Sequence, residues 1–328
     1  MIIEKILKRL TPERVKKEIE AIQKIELPLE LQKWVKEYKK IGKRSEFLWR
    51  WIYNADKTVT DLFNIPRKYY YSIIETSFLF HMLTNLIDDV SERTNGKNLL
   101  NELLKIPFNR EYIKLNRLNK EERMYLMFTI KVWRKMEKKF NKYPYCKEIK
   151  ELYEYDLQQL LNTTKYSSLI YHNPYLINKT EYWMYLPQNM QFINVFDFCC
   201  MCSKFSFKNI GALREIILHT QKMARIGNDM GTWEREVKKD DFANGICVYA
   251  VNLGVLTIDE LKKENKFKII KKIKESIVEE KIFEEWERSY CKIKEITKNN
   301  TLRELNVKKF LFTLEKITLY HLVSRGYI

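Results

Sequence analysis

Turn-forming residues are scarce in this chain: 8 glycines and 7 prolines serve 328 residues. A β-sandwich or β-barrel needs a turn roughly every ten residues, so the shortage argues against both. It suits long helices joined by short loops. No run of about twenty apolar residues occurs, so no membrane span is expected. The opening stretch MIIEKILKRLTPERVKKEIE lacks the apolar core of a secretory signal and carries too many acids for a transit sequence. An intracellular, cytoplasmic protein is the expectation. The six cysteines are Cys146, Cys199, Cys200, Cys202, Cys247 and Cys291. The CCMC run has no histidine near it, which argues against zinc. Buried, reduced thiols in a helix are expected instead.

What is present in quantity is charge and aromatic surface. The net charge is +17 and aromatic residues make up 13% of the chain. That balance admits a nucleic-acid partner. Lysines nevertheless alternate with acids throughout, as in EYKKIGKRSEF and IIKKIKESIVEEKIFEEWERS, rather than gathering into a tail. Solvated helix faces are the simpler reading, with a general attraction for anionic substrates. Helical periodicity recurs nearly everywhere and predicts roughly ten to twelve helices. No linker, repeat or low-complexity tract divides the chain, so one all-α domain spanning 1–328 is expected.

Two polar segments stand out from this apolar background. NLIDDVSERT ends a long hydrophobic stretch with Asp88, Asp89 and Glu92. On a helix Asp88 and Glu92 share a face and Asp89 lies one step around. Clustered carboxylates repel one another and oppose the negative end of the helix dipole, and a cation nearby would relieve both. Taken alone, such acids can simply mark where a helix leaves the core. RIGNDMGTWEREVKKDDF spaces Asn228, Thr232 and Glu236 at i, i+4 and i+8, one above another on a helix. An amide oxygen, a hydroxyl and a carboxylate are hard donors that suit magnesium rather than zinc. A solvated helix face would show the same spacing.

Together, with 140 residues between Asp88 and Asn228, the two segments resemble the motif pair of class I terpene synthases. DDVSE fits the family's DDxxD/E motif, and NDMGTWERE fits its (N/D)Dxx(S/T)xxxE motif, including a basic residue, Arg235, before the final acid. The resemblance implies a single helical-barrel α domain in which the motifs face each other. It implies magnesium, three ions by the family's habit, held by Asp88, Asp89 and Glu92 and by Asn228, Thr232 and Glu236. Of these, Asp88, Asn228, Thr232 and Glu236 would be the catalytic set. The substrate it implies is a linear prenyl diphosphate, farnesyl diphosphate ahead of geranylgeranyl diphosphate, ionised and cyclised with release of diphosphate. Arg225, Arg235 and Lys239 are then candidates for diphosphate oxygens. The C-terminal SRGY resembles the family's terminal Arg-Tyr pair, with Arg325 and Tyr327 separated by Gly326.

The family's chain-elongating prenyltransferases usually carry a second aspartate-rich motif, so the Asn/Thr/Glu version favours cyclisation. A prenyltransferase of the same fold and a basic helical nucleic-acid-binding protein are the alternatives. No nucleic acid is expected as partner, and the protein is expected as a monomer or homodimer. Rings that would suit a dry, cation-stabilising pocket are Phe78, Phe80, Trp183, Phe192, Phe196, Phe198 and Tyr320, though each serves equally as ordinary core. One departure is clear. Family members generally place a diphosphate-sensing arginine some forty-odd residues before the second motif, on a helix broken near a glycine. Here YWMYLPQNMQF occupies that region and no arginine occurs from 144 to 213. Pro187 is expected to break the helix, and Gln188 or Asn189 to offer a neutral amide instead.

Overall fold

Helix-starting chemistry is written clearly in several places. Asn119 accepts from the Glu122 amide while the Glu122 carboxylate accepts from the Asn119 amide, a reciprocal cap that starts a 21-residue helix. The computed structural model of the protein describes residues 2–91, 96–205, 207–299, 302 and 305–325. Its helices are, in order, α1 (Ile2–Leu7), α2 (Pro12–Gln23), α3 (Leu29–Tyr38), α4 (Glu46–Thr60), α5 (Arg67–Ser91), α6 (Lys97–Leu103), α7 (Lys120–Phe140) and α8 (Cys146–His172). There follow α9 (Lys179–Tyr185), α10 (Phe192–Cys202), α11 (Ile210–Lys238), α12 (Gly245–Asn252), α13 (Ile258–Lys263), α14 (Lys266–Lys274), α15 (Val278–Asn299) and α16 (Val307–Val323). The fold is all-α, with no strand among the described residues.

The sixteen α-helices among the described residues exceed the ten to twelve read from periodicity because local caps divide long polar runs. The stretch from Thr257 to Thr297 reads as one periodic segment, yet Thr257 caps α13 in a reciprocal box with Glu260. Glu264 then turns extended, and the Asn265 side chain restarts the chain as α14 by accepting from the Phe267 amide. The 3.6-residue period survives such breaks, so periodicity alone does not reveal them.

The chain forms two compact units. One comprises Ile22–Thr164 with Asn194–Lys204. Its centre is α5, which packs against α4 and α7 and is buried on nearly every face from Ile73 onward. Phe198 of α10 meets Phe80 of α5 at 5.7 Å, Phe140 of α7 at 5.9 Å and Tyr153 of α8 at 5.2 Å between ring centroids. Trp49 of α4 lies between Tyr38 at 4.7 Å and Phe78 at 5.7 Å. Burial of each such ring is worth about 1.5–3 kcal/mol, which holds α5 in place along its length. The neighbouring cysteines of α10, Cys199, Cys200 and Cys202, are buried free thiols, as expected.

The other unit comprises Met1–Ala21, Lys165–Ile193 and Phe205–Ile328. Here α11 is central, flanked by α15 and α16, with α12 also packed on it. Two glycines bring α16 close. A Cβ at Gly227 would stand 3.2 Å from the His321 ring, and one at Gly231 would stand 3.0 Å from the His321 carbonyl oxygen. These glycines bracket Asn228, so the segment that carries the polar stripe is also the helix-packing seam. No helix among the described residues is long and apolar enough to cross a membrane.

His321 makes this seam sensitive to pH. Burial pushes its imidazole down to about 4, against a weaker upward pull from the Ile317 carbonyl. The folded protein thus holds His321 neutral, whereas the unfolded chain gains a proton below about 6.5. Its contribution is intact above that value and is lost as pH falls toward 4, about 3 kcal/mol in all. Denaturant unfolding of the parent and of His321→Asn, which keeps an amide near Nδ1, should diverge across this window. Parallel stability curves from pH 7 to 4 would assign the acid sensitivity elsewhere.

Candidate metal and diphosphate site

The acids at the end of α5 are held by the chain itself. Arg44, in the loop between α3 and α4, donates from Nε to Asp89 Oδ1 at 2.6 Å and from Nη2 to Asp88 Oδ2 at 3.4 Å. The Tyr38 hydroxyl donates to Asp89 Oδ2 at 3.1 Å and accepts from the Arg44 amide at 3.2 Å. Gly42 permits this turn, since a Cβ there would overlap the Tyr38 ring. The cation that the carboxylate cluster calls for is therefore supplied in part by Arg44. Asp89 is the more tightly held, with 14% of its side chain exposed, while Asp88 keeps 35%. Glu92 lies outside the described residues.

The stripe on α11 is not a solvated face. Thr232 is buried, Asn228 is half-buried and the Glu236 side chain is 16% exposed. The Thr232 hydroxyl donates to the Asn228 carbonyl at 2.9 Å, which leaves its oxygen lone pairs as acceptors or ligands. Burial pushes the Glu236 carboxyl up to about 8, with the Asp241 carboxylate adding to the rise and Arg225 opposing it. A divalent cation fits this environment. It would replace the lost hydration of an amide oxygen, a hydroxyl and a carboxylate, and would favour the ionised form that burial penalises. Among the described residues no group of three or more His, Cys, Asp or Glu side chains converges as a metal cage.

Asp229, beside Asn228, has a different task. It is fully buried, forms an ion pair with Arg225 at 2.6 Å, and accepts hydrogen bonds at Oδ2 from the Tyr182 hydroxyl and from the Gly245 amide at 3.0 Å. Arg225 also donates to the Ala243 carbonyl at 3.1 Å and is itself buried. This node ties α11 to α9 and to the start of α12, fixing the motif's rotation. The sequence offered no sign of Tyr182 or Gly245, because neither belongs to a spacing pattern with residue 229. A Cβ at Gly245 would come within 2.5 Å of the Tyr182 hydroxyl oxygen and 2.7 Å of Asp229 Oδ2. Gly245→Ala is therefore expected to cost about 1–3 kcal/mol, as overpacked sites do, read as a lower thermal midpoint. An unchanged midpoint would mean the node relaxes freely.

The remaining candidates are dispersed around α11. Arg235 lies beside Glu236 at 3.8 Å and Lys239 is exposed at the helix end. Arg325 pairs with Glu234, which also meets Lys274 at 3.0 Å. Tyr327 lies outside the described residues. In the arginine-free stretch, Leu186–Met190 forms a 3-10 turn containing Pro187, and Gln191 closes it at φ 63° before α10 begins. A glutamine in the left-handed region thus does the work expected of a glycine. Gln188 is not free, because its side-chain oxygen accepts from Gln221 of α11 at 3.0 Å, and the Gln221 oxygen accepts from the Ile193 amide at 2.9 Å. Asn189 stays half-buried. Phe78, Phe80, Phe196 and Phe198 are fully buried core rings, whereas Trp183 is half-buried, donates to the Tyr249 hydroxyl at 3.1 Å and carries Lys222 over its ring at 4.2 Å.

Residues 80–275, more than half of the chain, match the family model described as terpene synthase family 2, C-terminal metal binding. The chain belongs to that family, as a class I terpene synthase. Membership makes the protein a metal-binding lyase whose substrate is a prenyl diphosphate. No curated protein matches the sequence.

Proposed function

We propose that the protein is a magnesium-dependent cyclase of a linear prenyl diphosphate, farnesyl diphosphate first and geranylgeranyl diphosphate second. The observation that carries this reading is the stripe of Asn228, Thr232 and Glu236. Three hard oxygen donors share one face of a largely buried helix, where a solvated face would have no reason to be buried. Asn228, Thr232 and Glu236 would hold magnesium through their oxygens, with Asp88, Asp89 and Glu92 as the second ligand group and three ions in total. Magnesium, when bound, supplies Lewis-acid stabilisation of the departing diphosphate.

The chain's own groups do the rest. Arg235, Lys239 and Arg325, with Tyr327, would donate to diphosphate oxygens and orient the substrate for ionisation. Arg225 is engaged by Asp229, so its role is to hold the motif helix in register. Gln188 and Asn189 stand where the family's sensing arginine is absent, and neutral donors bind phosphate oxygens about half as strongly as charged ones. Substrate capture then depends more heavily on the metals and on Arg325. Residues 1–328 act as one catalytic α domain in this reading, as a cytoplasmic monomer or homodimer.

The test is to incubate pure protein and magnesium with geranyl, farnesyl and geranylgeranyl diphosphate, each with and without isopentenyl diphosphate, and to analyse the extract. Cyclic hydrocarbon from farnesyl diphosphate, with isopentenyl diphosphate untouched, is expected. Consumption of isopentenyl diphosphate into longer chains would replace the cyclase with a prenyltransferase. No product from any substrate, with metal-free DNA binding that falls steeply with salt, would favour the nucleic-acid reading.

A further inference from the structure

A cavity of about 390 Å³ opens between the first turns of α5 and the last turns of α7. Lys68, Lys135, Lys138, Lys139 and Lys142 line it. Lys68 lies twenty residues before Asp88 on the same helix, about 30 Å along its axis, so this cavity is remote from the acidic end of α5. Lys139 is paired with Glu75 at 2.6 Å. The other four form no ion pair among the described residues.

Sequence spacing makes this concentration deliberate in physical terms. Lys135, Lys138 and Lys139 fall at i, i+3 and i+4 on one face of α7, and Lys142 follows in the turn after Phe140, so like charges crowd and repel. The negative end of the α7 dipole offsets part of that repulsion. It does nothing for Lys68, which sits in the first turn of α5 beside Arg67, with no acid there, and so opposes the α5 dipole. The floor is rigid rather than a loose surface. The Tyr143 hydroxyl is buried between Ser72 at 3.1 Å and Thr76 at 2.7 Å, and its ring meets Tyr69 edge-on at 6.1 Å. Glu30 offsets part of the Lys135 charge and the Tyr69 ring lies under Lys68 at 4.8 Å, but no carboxylate among the described residues pairs with these four ammonium groups, which lower their repulsion most by sharing one multivalent anion.

We propose that this cavity is a second anion site, which takes a ligand carrying several phosphate groups. Its volume falls in the range of small-molecule sites, and compact ammonium charges suit phosphate oxygens. The phosphates can come from a soluble polyphosphate or from the headgroup of a polyphosphorylated lipid. The site does not depend on the cyclase reading.

Titration calorimetry with inorganic triphosphate, in EDTA so that no divalent metal supports binding at the catalytic motifs, tests it. Sedimentation with phosphatidylcholine vesicles, with and without phosphatidylinositol bisphosphate, forms the second arm. The variant is Lys135→Gln/Lys138→Gln/Lys142→Gln, and the charge-matched control is Lys16→Gln/Lys17→Gln/Lys24→Gln, three exposed positions on α2 and just after it. Saturable binding that weakens by about tenfold or more in the cavity variant, and by less than about twofold in the control, is expected. Triphosphate binding alone assigns a soluble ligand, and vesicle binding as well assigns the lipid headgroup. Should the triple variant misfold by circular dichroism, Lys138→Gln, at an exposed position, carries the same comparison. Equal weakening in cavity and control variants, or no saturable binding to either probe, would overturn the site and leave only a basic surface.

Discussion

Glu236→Gln is expected to lower turnover by about a thousandfold at saturating magnesium, with the helical fold retained. In the proposed mechanism several kcal/mol of transition-state stabilisation would rest on metal-bound diphosphate, and removing an anionic ligand would forfeit much of it. Stability should move in the opposite direction from activity. Burial, then Asp241, pushes the Glu236 carboxyl up to about 8. The folded protein therefore keeps a proton that the unfolded chain sheds above about 4.5, so the metal-free protein loses stability as pH rises from there to about 8. Glutamine has no proton to lose, and the variant should melt at or above the parent's midpoint at pH 8 in EDTA. Metal binding at Glu236, as proposed, would need the ionised carboxylate and so release a proton. Parent-like turnover in Glu236→Gln would remove this residue from the site, and a collapsed variant would make its role structural.

Asp88→Asn and Asp89→Asn are expected to separate activity from stability. Asp89 takes the close contact from Arg44 at 2.6 Å and the Tyr38 hydroxyl at 3.1 Å. Its neutralisation leaves the Arg44 guanidinium with a poorer partner and should cost about 1–3 kcal/mol of unfolding free energy. Asp88 is the more exposed and meets Arg44 at only 3.4 Å, so its substitution should stay within about 1 kcal/mol in stability. Its turnover should fall by about a hundredfold, because in the proposed site this carboxylate would be the one most available to metal. Equal stability loss in both variants, with equal residual turnover, would make the acidic end of α5 a structural anchor alone.

The all-α class was legible because it follows from patterns that repeat: few turn-formers, a 3.6-residue period and recognisable caps. The stripe on α11 was legible for the same reason, since i, i+4 and i+8 spacing fixes a common face without any tertiary knowledge. What the sequence hid depends on contacts across long separations. Nothing in GKRSEF points from Arg44 to Asp88 and Asp89, and no local rule joins Tyr182 and Gly245 to Asp229. The helix count was hidden by caps such as Asn265 that interrupt a chain without disturbing its period. Gln191 shows a further limit, because a left-handed residue held by its surroundings need not be glycine. Burial of the stripe also escaped the sequence, which left a solvated face and a metal site with the same spacing.

Diphosphate release and terpene formation from farnesyl diphosphate, followed while magnesium is titrated into EDTA-treated protein, test the metal-dependent cyclase most directly. The expected result is no turnover in EDTA, recovery on addition of magnesium, and helical circular dichroism unchanged throughout, because the α11 register is held by Asp229 and the acids of α5 by Arg44, without metal. Undiminished turnover in EDTA would contradict it.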